Sequence, residues 1–366
     1  MPNPNAVVGL PTSITADSFE LDGRRLRLPP EAAGRRAVLE GAARQRIPVY
    51  VEIDPTTATI VRMFLPHVTR VRRMQPLEAN IAVELELSHA VHLLRRASPD
   101  FASFELQLRE SLGKGNVLIV TEDDARQIID VRAFRAGPDG PMPEFPGFPP
   151  RPERRWPWPF DRLRQLLIRW WRWRWWPWWW ISLRCVSPAH AQQIFDAMAA
   201  PNCAPLTVPA PCIPFMYPDN YCWARAHEMC RLMLAMDVQP RKVWINAGSP
   251  GPLHALTRNH PDCFIDWSWH VAPTICVRRW RWFFFWGREL VIDPSLCTTP
   301  VTKSEWKALQ NNMNATLTDT EWTSYWQYGG TDPAYAQTNQ HLATARLHLL
   351  NRSVGPFGPP PYANCP

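Results

Sequence analysis

Hydrophobic and polar positions split the chain into two patterned stretches around a proline-rich break. In the first, Ile47–Ile53 (IPVYVEI) alternates as a strand does, and 58–65 and 68–74 can pair with it. His89–Arg96 and Phe101–Leu112 carry helical spacing, and Gly113 and Gly115 supply a stop. Asn116–Thr121 and Gln127–Phe134 predict a hairpin around Asp123 and Asp124. Residues 1–19 read as a flexible leader and 20–136 as a small α+β domain. No nucleophile, metal cluster or phosphate loop stands out there.

The second stretch, 186–352, predicts another α+β domain. Ala189–Ala199 reads as a helix. Cys222–Met236 is amphipathic, with Ala226, Met229, Met233 and Met236 on one side, a spacing that favours core packing over a cofactor contact. Lys242–Asn246, Trp267–Arg278 and Leu290–Ile292 read as strands. The aromatic run Trp280–Trp286 extends the hairpin between the last two and is assigned to the core rather than to a lipid or partner surface. Residues 353–366 read as an irregular proline-rich tail.

Composition alters this picture in one place. Many of the 40 prolines fall between 137 and 159, marking a linker. Within the 137–185 break lies RLRQLLIRWWRWRWWPWWWISL, and ten of the chain's 20 tryptophans sit between 156 and 180. Residues 151–184 hold nine arginines against two acids, which accounts for the whole formal charge of +7. A general nucleic-acid surface is thereby excluded, and one local basic element remains. Its arginines and Pro177 argue against a spanning helix. Two readings stand level: residues 154–184 lie on a membrane surface, or they strap against the protein's own domains with arginines on rings.

All nine cysteines follow residue 184, and no CxxC pair occurs, which argues against a zinc site. With Cys222 free, eight remain for up to four disulfides, which points outside the cytoplasm. Yet Met1–Leu26 has no basic start followed by an apolar run, so no ordinary signal peptide is visible. The expectation is a protein secreted or delivered by another route.

Chemistry concentrates at Tyr217-Pro-Asp-Asn-Tyr-Cys-Trp-Ala-Arg-Ala-His-Glu-Met229. A turn leads into Cys222, a helical pattern starts there, and Asp219 or Asn220 can cap it. Unpaired amides and the positive helix end favour thiolate and can hold an oxyanion. His227, five residues on, points away. His270, on the strand Trp267–Ala272, can face inward. Asp293 closes the next strand, where it can fix the imidazole tautomer. Each residue alone is more often structural; the order Cys, His, Asp on helix, strand and strand is the informative feature.

These stretches resemble bacterial protein-glutaminase, the protein-glutamine deamidase family. The resemblance rests on Cys212-Ile-Pro-Phe-Met-Tyr-Pro218, Cys222-Trp-Ala-Arg-Ala-His-Glu-Met229, Trp267-Ser-Trp-His-Val-Ala272 and Val291-Ile-Asp-Pro-Ser-Leu296. Pro300-Val-Thr302, Trp306 and the spacing of Cys203, Cys212 and Cys222 extend it, over roughly 186–350. It implies a transglutaminase- or papain-like core, with the nucleophile at a helix N-terminus packed on an antiparallel sheet. It also implies a Cys222–His270–Asp293 triad. The substrates implied are proteins with exposed glutamine, and neither cofactor nor metal is called for. Trp223, Trp269 and Ser268 are expected beside the substrate. Residues 45–135 resemble, more faintly, the family's pro-region, which implies an autoinhibitory domain. The Trp/Arg segment has no counterpart in the family. By chemistry alone a transglutaminase or a cysteine protease could use the same three residues, and a membrane-active toxin could use the Trp/Arg segment.

Overall fold

The computed structural model describes residues 3–29, 33–145, 185–207, 210–248, 251–281 and 284–365. The Trp/Arg segment and the end of the linker lie outside them. Among the described residues no helix is long and apolar enough to cross a membrane.

The N-terminal region starts earlier than the pattern implies. Ala6–Gly9 pairs antiparallel with Val49–Ile53, which pairs in turn with Ile60–Phe64. Val7 and Phe19 are buried in the core that these strands share with Val38 and Leu39 of helix α1 (Ala33–Gln45). The expected flexible leader is therefore corrected: two valines and a phenylalanine gain more by burial than the loop loses in entropy. Helix α2 (Phe101–Lys114) ends on Gly115 in the left-handed conformation, φ 73°, while Gly113 stays helical. Leu118–Glu122 and Ile128–Ala133 form the hairpin.

Two other expectations are overturned here. His89–Arg96 is not helical: Val91–Arg95 is a strand paired with Asn80–Leu85, with His92 and Leu94 turned inward. A run this short fits periods of 2 and 3.6 alike, and partner strands decide between them. The stretch 68–74 divides between two sheets. His67–Thr69 pairs with Leu118–Glu122, and Val71–Pro76 pairs with Asn80–Leu85; neither pairs with Val49–Ile53.

The C-terminal region is built on a five-stranded antiparallel sheet. Its order is Val301–Thr302, Phe284–Val291, Trp269–Arg281, Arg241–Asn246 and Thr316–Glu321. Helix α3 (Pro188–Ala199) begins with Ser187 Oγ accepting the amide of His190. Helix α4 (Cys222–Ala235) buries Ala226, Met229 and Met233, whereas Met236 past its end is exposed. Met229 and Met233 pack with Ile194, Phe195 and Ile275, so α4 is pinned between α3 and the sheet. Trp280 and Arg281 pair with Phe285 and Phe284 as the hairpin extends; Trp286 is half exposed, against the core assignment, and the burial of 280–285 lies outside the described side chains. Short helix α5 (Lys303–Ala308) carries a Thr302/Glu305 capping box, and α6 (Ala336–Ser353) returns along α4.

Helix α6 also joins the two regions. Gly34 and Gly41, one heptad apart on α1, lie against Val354 and Leu347. A Cβ at Gly41 would stand 2.5 Å from Leu347 Cδ1, so the glycines permit the close approach. Leu347 thereby enters the N-terminal core.

Three disulfides form: Cys185–Cys276, Cys203–Cys212 and Cys263–Cys365. Cys222, Cys230 and Cys297 are free, so a fourth bridge does not form. Cys263–Cys365 ties down a tail of turns in which Tyr362 is buried.

Candidate active site

Cys222 is the first residue of α4, and the turn before it is strained. Tyr221 is left-handed, φ 65°, at the position just outside the helix. Asn220 Oδ1 accepts the Tyr221 amide at 2.8 Å, and the Tyr221 ring packs on Trp223 with centroids 5.4 Å apart. Neither Asp219 nor Asn220 caps α4, against expectation. Asp219 binds the Arg352 guanidinium of α6 through both oxygens, and the Asn220 amide donates to the Leu87 carbonyl. Both side chains are committed to fixing the turn and cannot also reach the helix amides.

Around Cys222 the three expected chemical groups are brought together. His270 lies on the strand Trp269–Arg281, and Asp293 follows the partner strand. His270 Nε2 and Asp293 Oδ2 are 2.9 Å apart, and Trp306 Nε1 donates to the same oxygen at 2.8 Å. The His270 ring is stacked on Trp267, centroids 4.4 Å apart, which holds its plane. With Nε2 on the carboxylate, Nδ1 is left without a partner. The Cys222 sulfur and a His270 ring nitrogen lie within 4.8 Å of each other. His227 points away, as expected, with Lys242 Nζ 2.8 Å from its Nδ1.

Burial dominates the electrostatics of this pocket. Burial pushes the Cys222 thiol up to about 12, although Arg225 and the amides of Val271 and Trp223 pull the other way. Asp293 stays ionised: burial raises its pKa, but His270, Trp306 and Arg225 together hold it below the usual carboxylate range. Arg225 is itself buried and anchored, donating to the Tyr217 and Asn220 carbonyls at 2.9 and 2.6 Å.

What buries the site is a segment that the pattern of the sequence did not single out. Leu87–Ala90, from the N-terminal region, runs across it. Leu87 O accepts from Asn220, His89 O accepts from both the amide and the hydroxyl of Ser268, and Ala90 bridges Trp267. The His89 ring enters a box of Trp223, Trp267 and Trp269, with centroids 6.2, 5.4 and 5.5 Å away, and lies over His270 at 5.9 Å. The three residues expected beside a substrate (Trp223, Trp269 and Ser268) therefore all contact this segment. Burial keeps the imidazole neutral. Asn220 lies beside it, but neither ring nitrogen has a hydrogen bond of acceptable geometry.

The missed contributors are His89, Asn220, Arg225 and Trp306. The last three stand in or beside the quoted motifs, so their neighbourhood was visible though their roles were not. His89 had no local signal at all.

Comparison with known proteins agrees with the resemblance read from the motifs. Residues 191–310 match the family model described as glutaminase. On that match the resemblance to the protein-glutaminase family stands. The crystal structure of a pro-protein-glutaminase aligns over 83% of this chain and 99% of its own, at 19% identity and a TM-score of 0.51. That likeness establishes a common mixed helix-and-sheet fold. The NMR structure of protein-glutaminase from Chryseobacterium proteolyticum aligns over 42% of this chain and 84% of its own, at 25% identity and a TM-score of 0.36. No curated protein matches.

Proposed function

We propose that this chain, whose residues 191–310 carry the glutaminase-family segment, is the proenzyme of a protein-glutamine deamidase. The observation that carries the reading is the buried constellation of Cys222, His270 and Asp293, covered by a segment from the other half of the chain. A substrate chain lying where Leu87–Ala90 lies would offer its backbone to Asn220 and Ser268 and its side chain to the tryptophan box.

In the released enzyme the Cys222 proton passes to His270 Nδ1, and the sulfur attacks the glutamine side-chain carbonyl. Asp293 holds the imidazolium through Nε2–H. The first amides of α4, which have no intrahelical partner, receive the oxyanion. The tetrahedral adduct expels ammonia as His270 returns the proton, leaving a thioester. Water, deprotonated by His270, then hydrolyses it to glutamate and frees the thiol. Uncovering the pocket hydrates Cys222 and removes the burial that raises its pKa, so inhibition and thiol neutrality have one cause.

Activation would follow cleavage between 136 and 186. Three disulfides, two of them closing long loops, accord with work outside the cytoplasm.

The test is mass spectrometry of a denatured protein substrate incubated with intact chain and with chain nicked between 136 and 186. Expected is conversion of glutamine to glutamate with ammonia release, by the nicked form only, and lost in Cys222→Ala. Backbone cleavage would identify a protease, and amine incorporation a transglutaminase. Equal activity of intact and nicked chain would overturn the proenzyme reading.

A further inference from the structure

His89, Cys222 and His270 bring three metal-type donors into one buried cluster, with their ligand atoms all within 4.8 Å of one another. No sequence motif announces it. The absence of a CxxC pair argued against zinc, but these donors come from three separate places and from both halves of the chain.

A second observation points to a ligand. Both ring nitrogens of His89 and Nδ1 of His270 are buried without a hydrogen-bond partner. Such orphaned polar atoms are costly to bury, and a ligand that partners them removes that cost. One ring nitrogen from each histidine lies within 4.8 Å of the Cys222 sulfur. Asp293 holds His270 Nε2, so Nδ1 presents a lone pair, and a carboxylate behind an imidazole is the usual support of a metal-bound histidine. One thiolate and two imidazoles suit zinc, with the fourth position open to water, and do not suit magnesium or calcium. Bonds of about 2.0–2.3 Å to zinc require the donors to draw together to roughly 3.5 Å.

The second histidine cluster differs. His67 Nε2 and His92 Nδ1 both bond Glu122, and His92 Nε2 reaches Ser88 Oγ at 3.0 Å. Three of its four ring nitrogens are hydrogen-bonded, so it calls for no ion and serves as an internal control.

We propose that the closed chain binds one zinc ion through Cys222 Sγ, His270 Nδ1 and a ring nitrogen of His89, locking the N-terminal region onto the site. On binding, the Cys222 S–H bond breaks and its proton leaves to solvent, while three metal–donor bonds form. The proposal deepens the reading of Cys222 and His270 as the working pair. It adds a metal clamp to the latency: the ion holds the segment on the site, and the nucleophile is unlocked only when the segment leaves.

The experiment uses metal-free intact chain, disulfides in place, titrated with Co2+ as a spectroscopic stand-in. Expected is a sulfur-to-cobalt charge-transfer band with tetrahedral d–d absorption, saturating at one ion per chain and bleached by Zn2+. Cys222→Ala should abolish the band. His89→Leu should lower affinity by more than the roughly 10–100-fold that a lost outer partner costs, and His92→Ala should leave it unchanged. Should a variant fail to fold, X-ray absorption of zinc-loaded wild-type protein decides alone, with one sulfur and two imidazoles expected. No sulfur band, a band surviving Cys222→Ala, or a His89→Leu affinity equal to wild type would overturn the proposal. Because metal absorption is read on intact chain, failure here is distinct from failure of the nicked chain to deamidate.

Discussion

The imidazole of His89 lies over that of His270 at 5.9 Å between centroids and 24° between planes, two rings contributed by opposite halves of the chain. Neither shares a hydrogen bond with the other, and His89 has no partner for either nitrogen. The segment is thus held by its backbone and by tryptophan contacts, not by the nitrogens of the His89 ring.

His89→Leu should accordingly leave the metal-free intact chain as stable as wild type, or raise its Tm by a few degrees. Replacing an unsatisfied buried polar group with an apolar one of similar size is neutral or stabilising. Thermal melts in the presence of a chelator measure this. A fall of more than about 3 °C, corresponding to roughly 2 kcal/mol in a chain of this size, would mean that the ring has a partner that the geometry does not reveal.

Trp306→Phe removes the indole N–H from Asp293 Oδ2 while keeping an aromatic ring behind His270. The carboxyl loses one of the groups that hold its pKa down, so that pKa rises. The expected result is a roughly 10-fold lower kcat in the nicked enzyme, with the acid limb of its pH profile moved upward, and a stability loss of about 1–3 kcal/mol. Steady-state ammonia release across pH is the measurement; an unmoved acid limb would exclude a role through Asp293.

Gly41→Phe tests docking. A Cβ there already meets Leu347, and a ring would force α1 and α6 apart. The intact chain should gain deamidase activity at least several-fold over its basal level without being nicked, while nicked enzyme is unaffected. Parallel ammonia assays on the two forms separate loosened docking from damage to the catalytic half.

Stability should fall with acid from about pH 6.5. His341 is depressed to about 4 and His348 to about 3, both mainly by burial, and His67 adds to the latter. Unfolded histidine titrates near 6.5. Between those values the unfolded chain binds more protons, so the contribution of these groups is present above about 6.5 and is lost as pH drops toward 4 and then 3. His348 stacks on His67, whose partner Glu122 is held strongly ionised, and Arg352 and Asp219 lie near. Tm against pH should therefore slope downward below 6.5, and His341→Phe should flatten part of the slope.

Much of the C-terminal half was legible because its signals are local. A turn before Cys222, an amphipathic run after it, and alternating stretches holding His270 and before Asp293 each need only a few neighbouring residues to read. The cap of α4 was misjudged because Asp219 answers to Arg352, more than a hundred residues away. The strand at Val91–Arg95 was misread as helix because five residues fit either period, and Asn80–Leu85 supplies the deciding hydrogen bonds.

The sequence by itself determined which residue types stand ready for thiol chemistry, and on which kinds of element, since helix starts and strand alternation are written in adjacent positions. Tertiary structure alone decided that His89 occupies the pocket, that Trp306 supports Asp293, and that α1 and α6 clasp the halves together through two glycines. Those facts depend on surfaces meeting across the fold, and a chain's local pattern carries no record of which distant surface will arrive.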